Sequence, residues 1–203
     1  GARSLYWAEP EFVPWWFEVP EYRPEGGGSV VALAIAHDDP RRVYVADDTG
    51  DIFLVELTDL FSVVFPLPSP PSGSIRAIAD MAVSPRNSRR LYVVAGELFG
   101  ESDRTPRSRL FRYDVATDTW NDLTAALPAF TLRGRQRPAT ENAIHAIVID
   151  PDPAVTDPAQ EHVYIGCDVG VFQSRDGGNT WRAFHDGLPP SPVFVLALHP
   201  SEH

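Results

Sequence analysis

Ser174-Arg175-Asp176-Gly177-Gly178-Asn179-Thr180-Trp181 gathers a hydroxyl, a carboxylate, two glycines and an indole into eight residues. The spacing is that of a tight corner between two strands. Asp176 is placed to fold its carboxylate back onto backbone N–H groups of its own turn. Gly177 and Gly178 supply the positive φ values that such a corner needs. Trp181 restarts the chain as a strand and lays a large ring on the sheet.

Outward from this corner the chain repeats itself. Four apolar runs each end in a proline turn: Val30 to Pro40, Ile78 to Pro85, Ile144 to Pro151 and Val193 to Pro200. The first three are followed by a short apolar strand with a central tyrosine: Val43-Tyr44-Val45, Leu91-Tyr92-Val93 and Val163-Tyr164-Ile165. Runs this short, bounded by breakers, are strands rather than helices. Their near-continuous apolar character predicts burial on both faces, as for an innermost strand. Third strands are expected at Ile52 to Leu57, Arg109 to Val115 and Val171 to Ser174. Fourth strands are expected from Trp120 and Trp181, each followed eight residues later by Pro128 and Pro189. Trp16 to Pro20 reads as a shortened outer strand of the same type.

The 203 residues are enough for a substantial core, and 43% are apolar. Twenty prolines and fourteen glycines, spread along the chain, suit many short strands and oppose long helices. A net charge of −11 disfavours nucleic acid and anionic membrane surfaces as partners. No run is apolar and long enough for a membrane helix. All 17 basic residues are arginine, a compositional bias before it is a functional choice. The single Cys167 has no disulfide partner in the chain. The chain opens at Gly1 and shows no signal peptide.

The form Ser-x-Asp-x-Gly-x-x-Trp, at Ser174, Asp176, Gly178 and Trp181, resembles the Asp-box, or BNR repeat, of sialidase-like and sortilin-like β-propellers. The resemblance spans Val30 to His203, on one specific motif and weaker repeats. It implies an all-β propeller of four-stranded antiparallel blades, with the Asp-box structural and placed away from the functional face. The expected layout is an aromatic, proline-rich arm over 1–29 and blades near 30–72, 73–130 and 143–190, with a further inner strand at 193–200. About three blades leave two open sheet edges. The chain is then part of a longer propeller, or a ring completed by other copies or chains, or one whose termini share a fourth blade. Related families include sortilin-type receptors and photosystem assembly factors, which use the propeller to hold another protein. The resemblance also favours an extracytoplasmic setting.

Blade topology sends the second-to-third loops and the blade-to-blade connections to one rim. Two arginine-rich segments fall there, one with Arg104, Arg107 and Arg109, the other with Arg133, Arg135 and Arg137. Guanidinium forks suit a carboxylate, phosphate or sulfate, or an acidic partner. Solvated surface arginines are the plainer reading of the same residues. The function expected is therefore a non-catalytic scaffold that binds a protein partner, further copies of the chain, or an anionic ligand on this rim. A glycoside hydrolase of sialidase or xyloglucanase type, or a lectin, is the alternative. Sialidase machinery does not carry over, because the Arg-Ile-Pro signature is missing and Arg23-Pro24 lacks its middle residue. Glu97, Glu101 and Asp103 are the carboxylates nearest this rim, but paired carboxylate spacing cannot be read from sequence.

The aromatic arm, with Trp7, Trp15, Trp16 and Phe17, must cover something. It packs on its own propeller, docks another subunit, or stacks on a sugar. No cofactor is expected. Asp47-Asp48-Thr49-Gly50-Asp51 and the Asp150, Asp152, Asp157 group offer oxygen to calcium but equally suit polar turns. No histidine spacing is of zinc type, and His145 is expected to face the central channel or a satisfied core rather than a metal.

Overall fold

A computed structural model describes residues 6–7, 17–18, 28–58, 62–71, 77–97, 107–132, 134–152, 154–184 and 190–198. Strands β1 (Tyr6–Trp7) and β2 (Phe17–Glu18) pair with each other and, among the described residues, with no other sheet, Trp7 opposite Phe17. The outer strand expected at Trp16 to Pro20 thus joins a separate ladder rather than a blade. Trp15 and Trp16 lie outside the described residues.

Three antiparallel sheets of four strands follow. The first holds β3 (Val30–Ile35), β4 (Arg42–Asp47), β5 (Ile52–Leu57) and β6 (Ser62–Pro66). The second holds β7 (Ala77–Ser84), β8 (Asn87–Glu97), β9 (Arg107–Asp114) and β10 (Thr119–Asp122). A hairpin of β11 (Phe130–Leu132) and β12 (Arg135–Arg137) then leads to the third, β13 (Ile144–Ile149), β14 (Val163–Cys167), β15 (Gly170–Ser174) and β16 (Arg182–Ala183). Each sheet runs in sequence order, so each is an up-and-down meander. Strand β7 packs against both β3 and β13, which sets the three first strands side by side around an axis. These are blades of a β-propeller, named blades 1 to 3 below.

Cross-strand register makes the repeat explicit. Leu33, Val45 and Phe53 are aligned across blade 1. Met81, Val93 and Phe111 are aligned across blade 2, and Ile147, Ile165 and Phe172 across blade 3. This is the rear side of each blade, turned toward the blade before it. The front sides carry Ala34 and Tyr44, Ala82 and Tyr92, and Val148 and Tyr164 at matching positions. Period-two alternation delivers the two sets to opposite faces.

Stacking front on rear builds the core. Ala34, Tyr44 and Leu54 of blade 1 pack with Met81, Val93 and Phe111 of blade 2. Tyr92, Val94 and Leu110 of blade 2 pack with Ile147, Ile165 and Phe172 of blade 3. Each fully buried side chain of this size contributes about 1.5–3 kcal/mol from desolvation. A tyrosine hydroxyl closes both seams. Tyr44 donates to Ser88 O at 2.7 Å, at the foot of the next blade's second strand. Tyr92 donates to Gly177 O at 3.1 Å and faces Glu161 Oε2 at 3.2 Å. Burial pushes the Tyr44 hydroxyl up to about 12 and raises that of Tyr92 as well, so both remain donors.

Two expectations need correction. Strand β3 is not buried on both faces: Val31, Leu33 and Ile35 are exposed, because the described residues set no blade behind it. Residues 193–198 form no strand ladder. Val193 N–H donates to Cys167 O at 2.9 Å, but no second strand pairs with the segment among the described residues. Residues 199 and 200 lie outside the described set.

Candidate functional site

Antiparallel order places the first-to-second and third-to-fourth turns of a blade on one rim, here called lower, and the remaining connections on the upper rim.

The Ser174–Trp181 turn sits on the lower rim. Ser174 Oγ accepts from Gly178 N–H at 2.8 Å and donates to Asp176 Oδ1 at 2.7 Å. Asp176 also accepts from Thr180 N–H at 2.8 Å and from Thr180 Oγ1 at 2.6 Å. Desolvation works against the charge of Asp176, but the bonds from Thr180 and Ser174 outweigh it and hold the carboxyl below its usual range. Gly177 and Gly178 have φ of 64° and 93°. Trp181 Nε1 donates to Gly178 O at 2.9 Å, closing the turn on itself.

This turn is bolted to blade 2. Besides Tyr92, Arg112 Nη1 donates to Gly177 O at 2.8 Å, while within blade 3 Gly177 N–H donates to Glu161 O at 3.1 Å. Glu161 is fully buried and accepts from Ser84 Oγ and Tyr92. Burial raises its carboxyl above the usual value, against the bond from Ser84 and the pull of Arg90 and Arg112. Its raised position favours the fold below the ordinary carboxyl pKa, and that contribution is lost as pH rises through the folded value. Sequence gave no warning of this group, since Gln160-Glu161-His162 reads as a solvated loop. Arg86 works the same seam, donating to the carbonyls of Pro151, Asp152 and Val155. Lower-rim polar groups are thus largely consumed in joining blades 2 and 3.

The described arginines of the two expected ligand-binding segments lie toward the upper rim. The segment expected as an arginine loop is partly regular: β11 and β12 form a hairpin, Phe130 opposite Arg137, turning through Gly134 at φ 75°. A 3-10 turn, Ala139–Glu141, follows. Arg137 pairs with Glu141 at 2.7 Å. Arg109 pairs with Asp122 at 3.3 Å, both partly exposed. Arg135 is exposed and has no acidic partner among the described residues. Arg107 lies on β9, opposite Glu97 on β8. Arg104, Arg133, Glu101 and Asp103 lie outside the described residues.

His145 stands at the upper end of β13. Its Nε2 is 2.7 Å from Asp168 Oδ1, and its ring lies 4.5 Å from that of Phe194. It therefore has a carboxylate and an aromatic partner. Along the axis below, Ala34, Ile35, Met81, Ile147, Ile149 and Leu198 help line a cavity of about 370 Å³, with His37 at its rim. Apolar side chains predominate in its lining, with backbone polar groups and His37 contributing the rest.

Among the described residues no cluster of three or more His, Cys, Asp or Glu is arranged to hold a metal. Asp47 shows what its turn does instead. Its Oδ1 accepts from Thr49 N–H, Thr49 Oγ1 and Asp51 N–H at 2.6–3.0 Å, the geometry of a polar hairpin turn. Cys167 is buried, and burial pushes its thiol up to about 12, far from nucleophilic use. No described helix is long and apolar enough to cross a membrane.

No protein-family model matches the chain, and no curated protein matches it. Solved structures do. The GH74 xyloglucanase Xcc1752 of Xanthomonas campestris aligns over 85% of this chain and 25% of its own, at 21% identity and TM-score 0.51. YCF48 bound to D1 peptide aligns over 84% and 43%, at 13% identity and TM-score 0.49. The β-propeller domain of Myceliophteria thermophila Cps50 (Swd1) aligns over 83% and 45%, at 14% identity and TM-score 0.49. The chain thus spans a quarter to less than half of these structures. What it shares with the xyloglucanase at that level of identity is the fold: this chain is a β-propeller protein, three blades of which the structure describes.

Proposed function

We propose that the chain is a non-catalytic propeller scaffold of the Asp-box, sialidase-like group, which receives an acidic protein segment on its upper rim. The Ser174–Trp181 bonding pattern, with the carboxylate turned into its own corner, supports the Asp-box assignment. The observation that carries the binding reading is the β11–β12 hairpin. It is a regular element standing between blades 2 and 3, braced by Arg137–Glu141, and it offers Arg135 with no acidic partner among the described residues. A guanidinium on a braced hairpin loses little entropy when it meets a carboxylate. Arg109 and Arg137 already face carboxylates, so they frame such a contact rather than supply its full charge.

A glycoside hydrolase or lectin reading rests on fold likeness, and fold alone does not carry activity. The test is titration of the chain with a poly-glutamate peptide, using poly-lysine as the control. Arg135→Glu should weaken poly-glutamate binding several-fold and leave thermal stability nearly unchanged. Equal binding by this variant removes the upper rim as the receiving surface.

A further inference from the structure

Phe65-Pro66-Leu67-Pro68-Ser69-Pro70-Pro71 carries the chain out of β6, the last strand of blade 1. Every residue of this stretch is a proline or precedes one. Proline fixes φ at about −65°, and the residue before a proline is pushed out of the helical region into extended backbone. The sequence therefore dictates a polyproline II course from Leu67 onward, and residues 67–70 belong to no helix or ladder. Exposure follows the three-residue turn of that conformation. Leu67 is half-buried and Pro70 buried, three residues apart, whereas Pro66, Pro68, Ser69 and Pro71 are exposed. Phe65, near the end of β6, is 44% exposed. Phe65, Pro68 and Pro71 stand at three-residue intervals and form an apolar ridge about 19 Å long.

Two hydrogen bonds hold the ridge by its backbone. Leu67 N–H donates to Ile52 O at 2.8 Å, and Pro68 O accepts from Trp120 Nε1 at 3.0 Å. The Leu67 side chain packs on the core that blades 1 and 2 share. The segment is thus ordered before anything meets it, and little conformational entropy is lost on binding. No charged residue occurs between Leu60 and Ile75.

We propose that residues 65–71 are a docking motif for a protein domain whose binding face is a groove between aromatic rings. Such a groove takes a preformed polyproline II segment, its rings packing between successive prolines. The uncharged flanks fit a groove that reads proline and phenylalanine without a neighbouring basic or acidic residue. The ridge uses none of the arginines of the β11–β12 hairpin, so this contact and acidic-segment binding fail separately.

Titration of the isotope-labelled chain with a set of purified SH3, WW and EVH1 domains, followed by NMR, tests this. At least one domain should bind with a Kd below about 100 µM and shift the amide signals of Val64, Leu67 and Ser69. Pro68→Ala with Pro71→Ala should weaken that binding at least about tenfold. Both residues are exposed, and the Pro68 carbonyl that Trp120 uses is kept. Pro40→Ala, at an exposed proline before β4, should bind as the wild type does. Because the ridge carries no charge, raising NaCl from about 0.05 to about 0.5 M should change the Kd by less than about twofold. The amide shifts of the wild-type chain decide the matter even where the double variant loses stability. Absence of binding by every domain overturns the proposal. So do shifts confined to other residues, or a folded double variant that binds undiminished. Loss of binding in high salt also overturns it, since that assigns the contact to charged groups elsewhere.

Discussion

Two corners of the molecule perform one task with different chemistry. The β15–β16 corner closes its own loop before blade 2 grips it at Gly177: Asp176 binds the turn's own N–H and hydroxyl groups, two glycines take positive φ, and Trp181 folds back on Gly178 O. The β9–β10 corner looks outward. Its one positive-φ residue is Asp118, at 52°, whose carboxylate accepts from Tyr113 OH at 2.5 Å rather than from turn amides. Asp114 caps Ala116 N–H at 2.9 Å instead. Trp120 stacks on Tyr113 with centroids 4.6 Å apart and sends its Nε1 to Pro68 O at 3.0 Å, in the chain leaving blade 1. Both corners use local bonds, but only in the first does one carboxylate gather the turn's own amide and hydroxyl groups. Only the first leaves a compact signature in the sequence.

The contrast breaks most visibly at the glycines. Gly178→Ala should cost about 2–4 kcal/mol, because positive φ adds to a clash with Leu123 Cδ1 only 2.6 Å from the new Cβ. Asp118→Gly should change stability by less than about 1 kcal/mol, relief of backbone strain offsetting the lost Tyr113 bond. Urea denaturation of the two variants measures the gap.

Asp176→Asn comes next, at about 1–2 kcal/mol near neutral pH, limited by partial hydration of the group. The native carboxyl sits below its usual range, so its contribution is present above the ordinary carboxylate pKa and is lost as pH falls through the lowered value. The difference between wild type and variant should therefore close in acid, as read from denaturation at a series of pH values.

The smallest effect separates the tryptophans. Trp120→Phe and Trp181→Phe should each cost about 0.5–1 kcal/mol. Only the first should speed hydrogen exchange at the Leu67 amide, which bonds Ile52 O beside the Pro68 anchor. Equal acceleration by both would erase the distinction between a tryptophan anchored on the preceding blade and one anchored in its own turn.

Much of the fold is legible for a physical reason. The proline-terminated runs and tyrosine strands pair in register because their apolar alternation fixes which side faces a neighbour. Leu33 and Ile35 defeat the same reasoning, since residue type states a preference for burial and not whether a partner stands there. Residues 193–198 have strand chemistry but no described strand to pair with, and a ladder requires both. Glu161 is illegible because its burial is imposed by Ser84 and Tyr92, distant in sequence. The β11–β12 hairpin has only Gly134 between two three-residue segments to mark it, and arginines at this density suit an irregular loop equally well.

The seam tyrosines have a consequence for how such a protein grows. Tyr44 and Tyr92 each reach forward, while Tyr164 at the equivalent place accepts from Gln173 Nε2 of its own blade at 2.7 Å. The two forward-reaching hydroxyls find different acceptors, one at the start of a second strand and one in a corner turn. Duplicating a unit therefore carries the donor with it, while each new neighbour supplies whichever carbonyl stands in reach.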